Sequence, residues 1–267
     1  LFGKVKKYAE LYCNGIEVRI KSLTITQLKS TALYNVLMRR LELGKKCIFA
    51  TIETNTEETM AKIFACYSGY EYTKIRQKTL TPEEQKDYMA KVTEFGEKYK
   101  DQLFLYYNKE GCSPKSIELY WSILDRSGIK IDDLIVDYIG IMASADPTKK
   151  STVDIMLSLP KELRILSQKT NTAVFTAQQL GSEAERTEIE DITFDHIYYS
   201  KTLYFECTNT IVLKRGKQQG EILTKYLPSR QQWVDTIYRY VAPDQACMRL
   251  GEIEPVSEFD IGGQEGW

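Results

Sequence analysis

Two hydrophobic spacings take turns along this chain, and the changes between them mark its elements. Leu134-Ile135-Val136 is a short apolar run rich in β-branched residues, led by Asp132-Asp133 and ended by Asp137. Such a run reads as a strand covered on both faces, as in a parallel sheet. Residues 46–52 form a second run, which ends on Glu53, and residues 173–177 a third, which ends on Gln178-Gln179. Residues 22–26 and 102–107 predict two more strands. Between these runs the spacing is helical. Within 29–43 the apolar residues Leu33, Val36, Leu37 and Leu41 recur on one face. Arg39 and Arg40 sit near the C-terminal end, where the helix dipole favours cations, and Gly44 stops the helix. Thr56-Glu57-Glu58-Thr59, Thr81-Pro82-Glu83-Glu84 and Ser113-Pro114-Lys115-Ser116 each read as a helix start. Residues 152–170 predict another helix, with Pro160 a kink or boundary. A short helix is expected at 4–12, before a turn at Asn14-Gly15.

This β-α-β-α order implies an α/β fold: a mostly parallel central sheet flanked by helices, joined by right-handed crossovers. Towards the C-terminus the pattern changes. Residues 211–213 and 221–226 read as antiparallel strands joined through Arg215-Gly216 to Gly220, and 232–240 as a further strand. Residues 181–191 are charged and read as a loop, and the acidic, glycine-containing stretch 251–267 as poorly ordered. The expected division is a lead-in segment at 1–21, one domain at 22–245 and an acidic tail at 246–267.

Composition narrows the function. With 267 residues, 43% of them hydrophobic, the chain can bury a sizeable core. A formal net charge of -1 excludes a global basic field, so any nucleic-acid binding must come from local patches or from repetition in an oligomer. The 6 cysteines show no CxxC spacing and there is 1 histidine, His196, which argues against a zinc site. Scattered single cysteines suggest a reducing compartment. No run is long and apolar enough to span a membrane.

The candidate chemistry sits at strand ends, where open α/β sheets hold ligands. Asp137 ends the central strand; it suits a metal acid, or equally a residue capping the next turn. Lys29-Ser30 follows a strand and opens a helix, the layout of the last two positions of the phosphate loop GxxxxGK[ST]. In that motif backbone N–H groups wrap the phosphates, the Lys reaches the terminal ones and the hydroxyl ligates magnesium. Leu28 stands where the motif has Gly, and no upstream Gly falls at the required spacing. Either the loop is degenerate or the chain lacks residues between Ile25 and Lys29. Glu53 can take a proton from an attacking water, or serve as an N-terminal acid of the following helix. Gln179 can sense a phosphate or orient water, or be an ordinary polar loop residue.

Taken in order, these segments resemble the RecA-type motor domain of hexameric replicative DNA helicases, the DnaB type and its phage relatives. The matching stretches are Lys29-Ser30-Thr31-Ala32-Leu33, then Gly44 through Glu53, then Asp132-Asp133-Leu134-Ile135-Val136-Asp137-Tyr138-Ile139-Gly140-Ile141-Met142, and Ala173 through Leu180. Asn209 stands where that family usually has an acid. The resemblance implies a RecA-like P-loop NTPase core that binds ATP and Mg2+. It implies Lys29, Ser30 and Thr31 at the phosphates, Ser30 and Asp137 at magnesium, Glu53 as catalytic base and Gln179 as sensor. A basic pair late in the domain would reach the neighbouring subunit's nucleotide, with Arg230 the candidate and Lys225 beside it.

The same resemblance implies a hexameric ring around single-stranded DNA, at the replisome in the cytoplasm of a bacterial or phage-infected cell, with primase and a helicase loader as partners. Channel loops would be 143–151, carrying Lys149 and Lys150, and 181–200, carrying Arg186. Alternatively both are solvated loops; Glu183, Glu185, Glu188 and Glu190 crowd the second. Two other readings share the core: a RecA-like recombinase or KaiC-like ATPase, and a relative that has lost hydrolysis.

Overall fold

The computed structural model describes residues 20–25, 28–109, 111–146, 148, 151–197, 200–217, 220–227, 237–241 and 243–256. Among these, six strands run parallel: β1 (Ile20–Ile25), β2 (Cys47–Thr51), β3 (Leu103–Tyr107), β4 (Asp133–Asp137), β5 (Ala173–Gln178) and β6 (Cys207–Arg215). Three more, β7 (Ile222–Leu227), β8 (Ile237–Val241) and β9 (Glu252–Pro255), extend the sheet antiparallel. The order across the sheet is β3-β2-β4-β5-β1-β6-β7-β8-β9. This is the expected mostly parallel α/β sheet with antiparallel strands near the C-terminus.

The connecting helices are α1 (Lys29–Glu42), α2 (Thr56–Ser68), α3 (Tyr72–Gln77), α4 (Pro82–Tyr99), α5 (Pro114–Arg126), α6 (Thr152–Thr170) and α7 (Ser200–Glu206). The helix starts read from sequence form through the expected chemistry. Thr81 and Glu84 close a capping box at α4, and Ser113 and Ser116 close one at α5. Helix α6 runs through Pro160, which is buried within it. Helices α3 and α7 are absent from the sequence reading; at six and seven residues they are too short to show a period. The expected helix at 4–12 and the first part of the expected strand at 232–240 lie outside the described residues.

Side chains alternate across the sheet. Phe49, Ile135, Phe175 and Ala177 pack in one cluster with Leu33, Leu37 and Leu41 of α1. Their neighbours Ile48, Ala50, Leu134, Val136 and Val174 pack in another with Ile117 of α5 and Leu159 and Leu163 of α6. The period of two thus puts Asp133 and Asp137, flanking Ile135, on the α1 face. Arg40 of α1 uses this. Its Nε and Nη2 donate to the two oxygens of Asp133 at 2.6 and 2.9 Å, a bidentate pair with a fully buried carboxylate. Burial pushes the Asp133 carboxyl up and Arg40 opposes that. The pair pins the last turns of α1 to the start of β4, so the first turn of α1 overlies the C-terminal end of the sheet.

The C-terminal stretch departs from expectation. Residues 252–255, read as part of a disordered tail, form β9 against β8. The segment before β9 docks on α1 and α2. Asn35 Nδ2 donates to the carbonyls of Thr31 and Met248, and Leu250 N donates to Asn35 Oδ1. Arg249 donates to the carbonyls of Cys66 and Tyr67 in the last turn of α2, satisfying acceptors that a helix end leaves open. Among the described residues, no helix is long and apolar enough to cross a membrane.

Candidate functional site

Parallel strands end together, so β2, β4, β5 and β1, adjacent in the sheet, deliver their C-terminal residues to one edge. Thr51 is in register with Asp137, and Thr24 with Gln178. Helix α1 begins at this edge. Its cap residue, Leu28, makes no side-chain cap hydrogen bond, and its first turn holds no acid. The first N–H groups of α1 therefore face the edge without a side-chain acceptor from the cap, and with the positive end of the helix dipole behind them. A helix N-terminus of this kind favours an anion, phosphate above all.

Asp137 lies at the centre, 2% exposed. The Ser30 hydroxyl stands near enough to ease its ionisation, and its Oδ1 has no hydrogen-bond partner among the described residues. Burial pushes its carboxyl up to about 6; Ser30, Lys62 and Lys29 oppose that rise and the Glu53 charge adds to it. Lys29, from the first position of α1, holds its Nζ 3.3 Å from the centroid of the Tyr138 ring. Burial lowers the Lys29 pKa, while the charges of Glu53 and Asp137 raise it. Glu53 stands exposed on the turn after β2, and its charge is felt at Lys29, Asp137 and Tyr138. Ile52 N donates to Asp137 O at 3.2 Å, which ties that turn to the end of β4. The structure thus brings Lys29, Ser30, Glu53 and Asp137 together.

This donor set fits magnesium. A buried carboxylate oxygen without a partner and a neighbouring hydroxyl are hard oxygen ligands. Among the described residues there is no group of three or more His, Cys, Asp or Glu that could hold a metal ion. An ion here would draw its other ligands from water and phosphate, as magnesium at nucleotide sites does.

The other expected residues fall in several places. Gln179 follows β5 and is exposed, while its neighbour Gln178 is buried at 4% exposure. A Cβ on Gly140 would come 2.6 Å from Tyr138 Cε2 and 3.1 Å from Gln178 Oε1, so a larger residue there would displace the Tyr138 ring. Thr31 is buried and its hydroxyl faces Met248 Sδ at 3.5 Å, towards the C-terminal segment. Lys225 corrects the expectation of an outward-reaching cation. It is 6% exposed on β7 and its Nζ donates to the carbonyl of Glu190. Arg186 is exposed at the end of a short turn, Ser182–Glu185. Lys149, Lys150 and Arg230 lie outside the described residues. The start of the loop that carries the two lysines is fixed: Glu162 of α6 accepts from Ser144 Oγ and from Ala145 N, both at 2.8 Å.

Sequence reasoning missed Tyr138 and Lys62. Tyr138 follows Asp137 directly, and an aromatic beside a strand-end acid is a usable signal. Lys62 carries none, since only the fold of α2 brings its charge near Asp137.

Comparison with known proteins gives a consistent picture. A family model described as the DnaB-like helicase C terminal domain matches residues 24–192. A solved structure described as an ATPase domain superposes with a TM-score of 0.75 at 11% identity, over 94% of this chain and 97% of that one. A structure described as a DnaB-like replicative helicase and its interactions with primase superposes with a TM-score of 0.71 at 11% identity. That match covers 89% of this chain and 64% of the other, so this chain spans 64% of that helicase's length. No curated protein matches the sequence. At this identity the structural likeness speaks for the fold.

Proposed function

Since this chain belongs to the DnaB-like helicase C-terminal domain family, we propose that it is the ATP-driven motor of a replicative DNA helicase, working as a hexameric ring on single-stranded DNA. One observation carries the reading: the buried Asp137 carboxylate, with an oxygen that lacks a partner among the described residues, lies near the Ser30 hydroxyl and beside the open N-terminus of α1. This is the arrangement that a magnesium–nucleotide site requires.

The chain's own groups would divide the work. Lys29 leaves the Tyr138 ring for the terminal phosphates, which the N–H groups of α1 also hold. Ser30 and Asp137 would hold magnesium, which when bound neutralises charge on the phosphate oxygens. Glu53, on its exposed turn, takes the proton from the attacking water. Gln179, on the α1 face by the alternation of β5, senses the γ-phosphate. Arg230 stabilises the developing charge from the neighbouring subunit. Lys225, turned inward, is a weaker candidate for that role. DNA phosphates would be gripped by Lys149 and Lys150, with Arg186 contributing, repeated around the ring. Primase and a loader are partners on this reading.

Leu28 favours a second reading. It fills the position of the phosphate-loop glycine and is itself buried at 5% exposure. A relative that binds nucleotide without hydrolysing it would tolerate that. Fork-DNA unwinding separates the two. The first reading expects strand separation that requires ATP and magnesium and is lost in Asp137→Asn. Nucleotide binding without turnover or unwinding would favour the second.

A further inference from the structure

Three threonine hydroxyls form a closed group around the Glu53 turn. Thr51 ends β2 at 1% exposure, Thr59 lies inside the first turns of α2 at 0%, and Thr54 sits between them. Thr51 Oγ1 donates to the Thr54 carbonyl at 2.6 Å, and Thr59 Oγ1 donates to Thr51 Oγ1 at 3.0 Å. With the Thr59 proton so used, Thr54 donates to Thr59 Oγ1, 2.8 Å away. Each hydroxyl then gives one proton, in one direction: Thr54 to Thr59 to Thr51 to the Thr54 carbonyl. The cycle closes through Thr54 itself; the remaining approach, Thr51 Oγ1 to Thr54 Oγ1 at 3.2 Å, has no proton left to share.

The start of α2 does not need this ring. Asn55 already caps the helix, its side chain accepting from Glu58 N at 2.8 Å, and Thr59 N donates to Asn55 O at 3.0 Å. What the ring does span is Glu53, with Thr51 two residues before it and Thr54 directly after. It also fixes the turn to β2, which stands in register with the Asp137 strand. An exposed carboxylate on an unrestrained turn would spend little time at the geometry for proton transfer. Displacement by about an ångström can cost on the order of a hundredfold in rate.

We propose that the Thr51–Thr54–Thr59 hydroxyl ring is a positioning device that holds Glu53 in its working geometry. This rests on the reading of Glu53 as the catalytic base. None of the three residues touches the reacting atoms on this account; they act through Glu53.

The test uses the full chain and compares Thr59→Val, which keeps the shape and removes the hydroxyl, with Thr59→Ser, which keeps the hydroxyl. Steady-state ATP turnover gives kcat and KM, and a fluorescent ADP analogue gives nucleotide affinity. The expected result is a fall in kcat of about tenfold or more in Thr59→Val, with affinity unchanged, and near-normal kcat in Thr59→Ser. Thr54→Val, at a less buried position, should repeat the loss and serves if Thr59→Val does not fold. Equal losses in Val and Ser variants would mean packing alone, and normal kcat in the valine variants would refute the ring. A parallel Glu53→Gln variant separates the levels. If it turns over normally, or if the unmodified chain does not hydrolyse ATP, the base assignment fails and the proposal with it. If Glu53→Gln is inactive while the valine variants are normal, only the ring fails.

Discussion

Asp137 shows what a buried acid at the strand ends costs the fold. Burial holds its carboxyl at about 6, against an ordinary value of 3.8, so ionising it in the folded state costs about 3 kcal/mol. The direction of the pH effect follows. A carboxyl whose folded pKa is raised contributes stability that is complete below its unfolded pKa and is lost as pH rises through the folded one. Without magnesium, Asp137→Asn should therefore match the unmodified chain near pH 4 and exceed it above pH 6, in denaturant midpoints taken across that range. A constant difference at all pH values would show that Asp137 is not held as described. Lys29, Ser30, Glu53 and Asp137 are legible in the sequence because each adjoins a strand whose apolar pattern announces its end. Lys225 is not, because a Lys between Thr224 and Tyr226 looks solvent-exposed, and only the packing of Glu190 over β7 turns it inward. The Tyr138 ring meets Lys29 only because β1 and β4 are brought to the same edge, which one sequence does not state.

At the level of elements, α1 is both a wall of the core and, at its uncapped N-terminus, the part of the edge with positive dipole. Leu37, on its inner face, is 0% exposed, whereas Leu119 of α5 is 65% exposed. Leu37→Ala should cost about 2–5 kcal/mol and Leu119→Ala no more than about 0.5. Chemical denaturation of both variants checks this, and equal costs would contradict the assigned packing of α1. Helix starts are readable because caps are local: Thr81-Pro82 and Ser113-Pro114 need no tertiary partner. Strand β9 is not, because an edge strand of Glu252–Pro255 carries an acidic pattern and gains its order from β8. The docked segment before it is equally hidden, since Asn35 and Arg249 act across more than 180 residues of sequence.

As a whole the molecule carries a net charge of -1, so a single copy has no global basic field to draw in DNA. If function requires a ring, the basic residues of one loop become effective by repetition. Lys149→Ala with Lys150→Ala should then weaken single-stranded DNA binding by assembled protein. It should also flatten the salt dependence, by roughly 0.7 in log–log slope for each DNA phosphate left without its cation. Fluorescence anisotropy over a salt series reads this, and an unchanged slope would assign the grip elsewhere, Arg186 first. DNA-independent ATP turnover should stay intact in the double variant.

The central claim is that the edge holding Lys29, Ser30, Glu53 and Asp137 hydrolyses ATP with Glu53 as base. The most direct measurement is magnesium-dependent ATP turnover by the full chain beside Glu53→Gln, with nucleotide affinity taken on both. The account predicts equal affinity and turnover slowed about a hundredfold or more in the variant. Equal turnover in the two proteins would contradict it.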